Sequence, residues 1–276
     1  MDVQQGGEVF PVFAVTVDVV ALMIRDEQLS VLLVERGEEP YKHRWSLPGG
    51  FVRRGPEYTA ESLDDAARRE FAEETGIELE AAYLTQLGAY GDPGRDPRGN
   101  VVTVAYLAVA PTKSRPQAGG DARRARWMHV STVMDAGDGA LAFDHARILA
   151  DAVQRTSELV ESTALGVAFC KHWFTVPYLR RVYEILWDLP RDTLDAGNFH
   201  HRIMGLTGLL EEVTEGELAM KAEEDRAIER RLGMMATLDE PATGRGRPPK
   251  WFKRGPLIRE HGAAAPLERP FTRPQG

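Results

Sequence analysis

Arg69, Glu70, Glu73 and Glu74 fall within one short stretch, Asp64 to Thr75. Residues three and four apart share a helix face, so a helix here turns the Glu70, Glu73 and Glu74 carboxylates the same way. Three like charges on one face repel, which costs helix stability. A divalent cation offsets that cost: Mg²⁺ takes hard oxygen ligands, and a few carboxylates plus substrate phosphates suffice. Arg69 can hold a neighbouring carboxylate by paired hydrogen bonds. Such a set suits attack of a bound water on a phosphate link whose charge the metal neutralises. The alternative is a solvated acidic helix laced by i,i+4 pairs.

These side chains need a helix and a loop to position them. Ala66, Ala67, Phe71 and Ala72 give Asp64–Thr75 a weakly apolar side, and Gly76 stands where a left-handed C-terminal cap belongs. Upstream, Leu47-Pro48-Gly49-Gly50 lets backbone approach a ligand closely. Phe13 to Ile24 and Leu29 to Glu35 read as a hairpin about Asp26-Glu27. Gly37 to Trp45 is a polar loop, Tyr83 to Tyr90 a strand, and Gly91 to Gly99 a turn-dense loop. Asn100 to Ala110 is a strong strand, Pro111 to Gly120 a loop, and Arg126 to Val130 a short strand. Asp144 suits the N-cap of a helix over His145 to Leu165. Mixed strands with one acidic-faced helix imply an α/β sandwich.

The chain has 276 residues, room for one large domain or two ordinary ones. With 43% hydrophobic residues it can bury a core. No apolar run approaches bilayer length, and the first ten residues lack a basic region followed by an apolar stretch, so neither a membrane span nor a signal peptide is expected. The single cysteine, Cys170, excludes a disulfide framework and fits a reducing cytoplasm; its apolar setting reads as a small buried hydrophobe. A net charge of −8 argues against a general nucleic-acid coat but leaves room for a local basic patch.

The acidic stretch resembles the Nudix box, G-x5-E-x7-R-E-U-x-E-E-x-G-U, where U is bulky and apolar. Gly55, Glu61, Arg69, Glu70, Phe71, Glu73, Glu74, Gly76 and Ile77 fill it without a gap. The Gly49-Gly50 pair, which the family usually places at the first glycine, lies further upstream, so Arg53 to Thr59 reads as an insertion. The resemblance implies Glu70, Glu73 and Glu74 as ligands for Mg²⁺, and these with Arg69 as the catalytic set if hydrolysis is retained. Trp45 to Gly50 and Leu141 to His145 resemble the ADP-ribose-handling branch of the superfamily, which puts Trp45, Gly49, Gly50, Arg95 and Arg98 near the ligand. For the two arginines a solvated turn is the competing reading.

The texture changes at Phe174. Thr175 caps a helix that has Pro177 near its start and Val182, Ile185 and Leu186 on its apolar side. Asp188 to Arg191 breaks it, and Asp192 to Asp195 is a capping-box-like restart. From Phe199 to Leu210 the stripe Phe199, Ile203, Leu206, Leu210 is core, while Asn198, His201, Arg202 and Gly205 lie opposite. Two helices with a short break describe a helix-turn-helix, in which Asn198, His201 and Arg202 would face DNA; Asn can read adenine and Arg guanine. A plain helical hairpin shows such faces too. Arg245 to Arg254 then carries five basic groups in ten residues. Gly and Pro keep it extended like a wing tip, from which Arg245, Arg247 and Lys250 could reach the minor groove. Trp251 and Phe252 are expected to dock the returning strand on the helices.

Together these stretches resemble the NrtR family of Nudix-related transcriptional regulators, a Nudix domain fused to a winged helix-turn-helix, over roughly residues 10–255 apart from one insertion. The resemblance implies a Nudix α/β/α sandwich over 1–150, a linker helix over 151–173, and a winged helix-turn-helix over 174–255 interrupted by an acidic, helix-prone insertion at 211–243. The Pro/Arg-rich tail, 256–276, is expected to be disordered. The implied function is repression of NAD synthesis or salvage genes by a homodimer on palindromic operator DNA, with the Nudix domain sensing ADP-ribose or a related NAD metabolite. The location would be a bacterial cytoplasm, at the nucleoid when operator-bound. The second reading is a Mg²⁺-dependent ADP-ribose pyrophosphatase with an accessory domain.

Overall fold

The computed structural model describes residues 2–5, 8–55, 60–79, 84–109, 116–137, 139–220 and 250–274. A short hairpin, β1 (Asp2–Gln5) and β2 (Glu8–Pro11), precedes a seven-stranded sheet. At its centre β3 (Ala14–Arg25) runs parallel to β8 (Val101–Val109), from Ala14 opposite Val101 to Leu22 opposite Val109. A central strand buried on both faces reads as a near-continuous apolar run, which is what Val17 to Met23 supplies, with Asp18 as the exception. β4 (Gln28–Arg36) returns antiparallel after a tight turn in which Asp26 and Glu27 both have positive φ. β5 (Trp45–Ser46) and β9 (Ala122–His129) pair with β4, β6 (Gly49–Phe51) with β3, and β7 (Leu84–Tyr90) with β8.

Helices cover both faces. Val17, Val19, Ala21 and Met23 meet Ala66, Ala67 and Phe71 of α1 (Leu63–Thr75). Alternate residues Val20, Leu22, Val31 and Leu33 meet Ile148, Leu149 and Ala152 of α3 (His145–Ser162), beside α2 (Val130–Asp135). The ends of α1 are fixed by sequence. Ser62 accepts the Asp65 N–H, and Gly76 closes the helix in the left-handed conformation.

The core continues without a gap into the C-terminal region. There α4 (Leu165–Ala168), α5 (Val176–Leu186) and α6 (Ala196–Met204) precede β10 (Leu210–Glu212), which pairs antiparallel with β11 (Phe252–Arg254); α7 (Pro256–His261) follows. Thr175 caps α5 as expected. Phe252 is buried and exchanges backbone hydrogen bonds of 2.8 and 2.9 Å with Phe174, so the returning strand does dock on the helices.

Several expectations need correction. The strand expected from Arg126 begins at Ala122, because arginine-rich residues pair with β4 at a solvated edge. The second helix restarts at Asp195, whose carboxylate accepts the Asn198 N–H, and it ends at Met204; Leu210 belongs to β10. Asp144 makes no side-chain cap on α3. The tail is ordered to Pro274: Ile258, Ala263, Ala265, Leu267 and Phe271 are buried, enough apolar surface to hold a Pro/Arg-rich segment in place. Of the acidic insertion, residues 215–220 are helical behind a Thr214–Glu217 capping box, and 221–243 lie outside the described residues. No helix among the described residues is long and apolar enough to cross a membrane.

Candidate functional site

A cavity of about 510 Å³ opens between α1 and the edge formed by β3, β4 and β6. The acidic face of α1 forms one wall. Arg69 organises it: Nε donates to Glu61 Oε2 at 2.9 Å, Nη1 to Glu70 Oε1 at 2.6 Å and to Glu73 Oε2 at 3.3 Å, and Nη2 to Phe51 O at 3.2 Å. The Arg69 hydrogen bond holds the Glu61 carboxyl down at about 2. Glu73 meets a second guanidinium, Arg53, at 2.8 Å. Glu74 accepts the Gly49 N–H at 3.0 Å. Burial pushes the Glu74 carboxyl up to about 8; the Gly49 hydrogen bond opposes this, and the Glu70 and Asp18 charges add to it.

The Gly49-Gly50 pair does more than open space for a ligand. A β-carbon on Gly50 would lie 2.6 Å from the Glu70 carboxyl carbon, and one on Gly49 would collide with Val17 O. At Gly49 the neighbour is β3 backbone, so only glycine fits there, whereas a side chain at Gly50 would displace the Glu70 carboxylate.

Among the described residues no three His, Cys, Asp or Glu side chains converge as a metal-binding cluster. Glu70 and Glu73 are turned toward arginines and Glu74 toward a backbone N–H. The donor chemistry still fits a hard divalent cation, since three carboxylates of one helix line one cavity.

The opposite wall carries residues that spacing alone did not reveal. Arg95 is buried, with a bidentate pair to Asp144 at 2.7 and 3.0 Å and Asp18 at 3.7 Å. That pairing is why Asp144 does not cap α3. Buried His145 accepts the Leu47 N–H on Nδ1 at 2.9 Å, so its proton sits on Nε2, 3.5 Å from Asp18 Oδ1. Burial lowers its pKa and keeps the ring neutral. Arg98 is held by Asp96, and its guanidinium lies 4.8 Å from the Phe51 ring centre and 5.5 Å from that of Phe143. Arg36 covers the Phe143 ring at 4.8 Å. Asp18 was the legible signal here, a lone acid in an apolar strand; nothing in local spacing marked Arg36, Phe51, Asp96 or His145.

Gly49, Gly50, Arg95 and Arg98 therefore line the cavity with Glu70, Glu73 and Glu74, and Trp45 does not. Strand alternation explains it: Ser46 faces the cavity, so Trp45 turns the other way and packs on the core beneath α3.

The C-terminal residues divide likewise. Asn198 and His201 are exposed on α6. Arg202 is engaged: Nη2 donates to Pro270 O at 2.6 Å and the guanidinium lies 4.8 Å from the Phe271 ring centre. Lys250 pairs with Glu212 at 2.8 Å, while Arg245 and Arg247 lie outside the described residues.

Comparison with known proteins matches residues 14–152 to the NUDIX domain. The ADPR responsive transcriptional repressor NtrR of Acinetobacter baylyi is 32% identical over 212 residues, 77% of this chain and 80% of that protein. The chain belongs to the NrtR family of Nudix-related regulators. Its similarity to the NrtR family extends over both regions. The Shewanella oneidensis NrtR structure complexed with a 27mer DNA superposes with a TM-score of 0.66 at 26% identity, covering 94% of this chain and 99% of that one. The N-terminal region is also similar to an ADP-ribose pyrophosphatase of Methanocaldococcus jannaschii, 34% identical over 128 residues, 46% of this chain and 68% of that protein.

Proposed function

We propose that this NrtR-family chain is a DNA-binding repressor of NAD synthesis or salvage genes, and that its Nudix cavity senses ADP-ribose or a related NAD metabolite. One observation carries the reading. A cavity walled by carboxylates on one side and by arginines and aromatic rings on the other shares a continuous core with a unit of two helices and two paired strands. The first wall suits a metal-bridged pyrophosphate, and the exposed Phe51 ring with the Arg98 guanidinium beside it suits a planar, polar ligand group. Mg²⁺ would be held by Glu70, Glu73 and Glu74, and when bound it would neutralise phosphate charge.

In this reading the helix-turn-helix is α5 and α6. Asn198 and His201 face the major groove, and Arg245, Arg247 and Lys250 supply the wing. A homodimer in the bacterial cytoplasm matches a palindromic operator, because two-fold protein symmetry pairs with two half-sites. Ligand release of DNA is linkage: ADP-ribose favours the conformation that binds DNA less well.

Hydrolysis is the second reading, favoured by the intact set Arg69, Glu70, Glu73 and Glu74. Against it, Arg53, from the segment that separates Gly49-Gly50 from Glu61, competes for the Glu73 carboxylate. We infer capture without turnover, since chemistry tolerates little misplacement.

Footprinting on promoters of NAD synthesis and salvage genes tests the regulator reading. Two protected half-sites about one helical turn apart are expected. Equal affinity for those promoters and for random DNA would contradict it.

A further inference from the structure

We infer that Phe271 is a positioning residue that ties α6 to the end of α3, so that the helix leaving the ligand cavity and the helix facing DNA shift together. The inference rests on the proposed sensor function and adds the connection that carries it.

α3 begins at the cavity. His145, its first residue, holds the Leu47 backbone N–H just ahead of Gly49-Gly50, and Asp144 grips Arg95 in the cavity wall. α3 ends against the tail. Ser162 O accepts the Leu267 N–H at 2.8 Å, Glu161 O accepts the Phe271 N–H, and Ala164 N–H donates to Ala265 O at 2.9 Å. The last carbonyls of a helix have no partner within it. Here the tail supplies partners, and burial makes leaving them unpaired costly. A displacement of the α3 end therefore carries the tail with it.

The tail in turn holds α6. The buried Phe271 ring lies 5.6 Å from Phe199 of α6 and 5.0 Å from Tyr183 of α5, with Arg202 of α6 at 4.8 Å. Arg202 also donates to Pro270 O at 2.6 Å. A second connection from α3 runs through α5, where Trp187 Nε1 donates to Ser157 O at 3.1 Å. The tail clamps the solvent-facing arginine of α6. Arg202 fastens α6 to the segment bound to α3.

The test uses the full chain and a labelled operator duplex, with DNA affinity measured by anisotropy with and without saturating ADP-ribose. The ratio of the two affinities is the coupling. Phe271→Ala is expected to reduce that ratio at least five-fold, toward one, while ADP-ribose affinity of the DNA-free protein stays within two-fold of wild type. Phe271→Leu keeps apolar volume and loses the ring face under Arg202, so it should give an intermediate ratio. In hydrogen exchange, ADP-ribose should alter protection of residues 196–204 in wild type and not in Phe271→Ala. Wild-type coupling in both variants would overturn the inference. A ratio of one in the wild type would overturn the sensor reading, and this inference with it.

Discussion

Arg53 Nη2 stands 2.8 Å from Glu73 Oε2. The segment that separates Gly49-Gly50 from Glu61 thus sets a guanidinium beside a carboxylate that a Nudix metal would use. Arg53→Ala should remove that competitor and tighten Mg²⁺ binding about two- to five-fold, in line with the modest worth of an exposed pair. Calorimetric titration with Mg²⁺ checks this; unchanged or weaker binding contradicts it.

Glu74 makes the metal-free protein pH-sensitive. Its folded value of about 8 lies above the ordinary 4.5, so the folded chain keeps a proton that the unfolded chain loses. Stability from this group is full below 4.5 and is lost as pH rises through about 8. Thermal melting without metal should fall across that window, and Mg²⁺ should flatten the fall by favouring the carboxylate. Glu74→Gln should melt with a shallower pH slope and bind Mg²⁺ more weakly. An unchanged slope in this variant would refute the account.

Removing Asp144 takes the bidentate partner from the buried Arg95 guanidinium and leaves Asp18, at 3.7 Å, and the charge of Asp96. Breaking one side of a buried pair is costly, so Asp144→Ala should lose about 3 kcal/mol in urea unfolding. A loss well under about 1 kcal/mol, as for an exposed pair, would mean that the contact is incidental.

On the DNA side, Asn198→Ala should relax base preference at one position of each half-site, at a cost of about 1–3 kcal/mol on the cognate operator. Arg247→Ala should weaken binding to all sequences and lower the salt slope by about one. An unaltered binding profile for the first, or an unaltered slope for the second, removes that residue from the interface.

How much of this was legible depended on the reach of each interaction. The helix of Arg69 to Glu74, its Gly76 cap, the Asp26-Glu27 hairpin and the Thr175 cap are local, and residue type with spacing set them. Asp144 does stand at the N-cap of α3, but its carboxylate holds Arg95, 49 residues away in sequence, which local spacing does not show. The stripe Phe199, Ile203, Leu206, Leu210 continued past the true helix end because Leu206, a buried loop residue, and Leu210, a half-buried strand residue, keep its spacing by chance. The tail's proline and arginine content suggested disorder, while its few apolar residues find a groove that exists only once α3, α5 and α6 have packed. The opposite cavity wall is assembled across the sheet: the stretch Leu141 to His145 hinted at it, while Arg36 and Phe51 leave no local trace.

The measurement closest to the central claim is a titration of ADP-ribose with Mg²⁺ into the protein–operator complex, with mobility shift and AMP release read in the same tubes. The account predicts that DNA is released while no AMP accumulates. AMP formation with DNA still bound would contradict it, and would make this chain an enzyme whose DNA binding the nucleotide does not control.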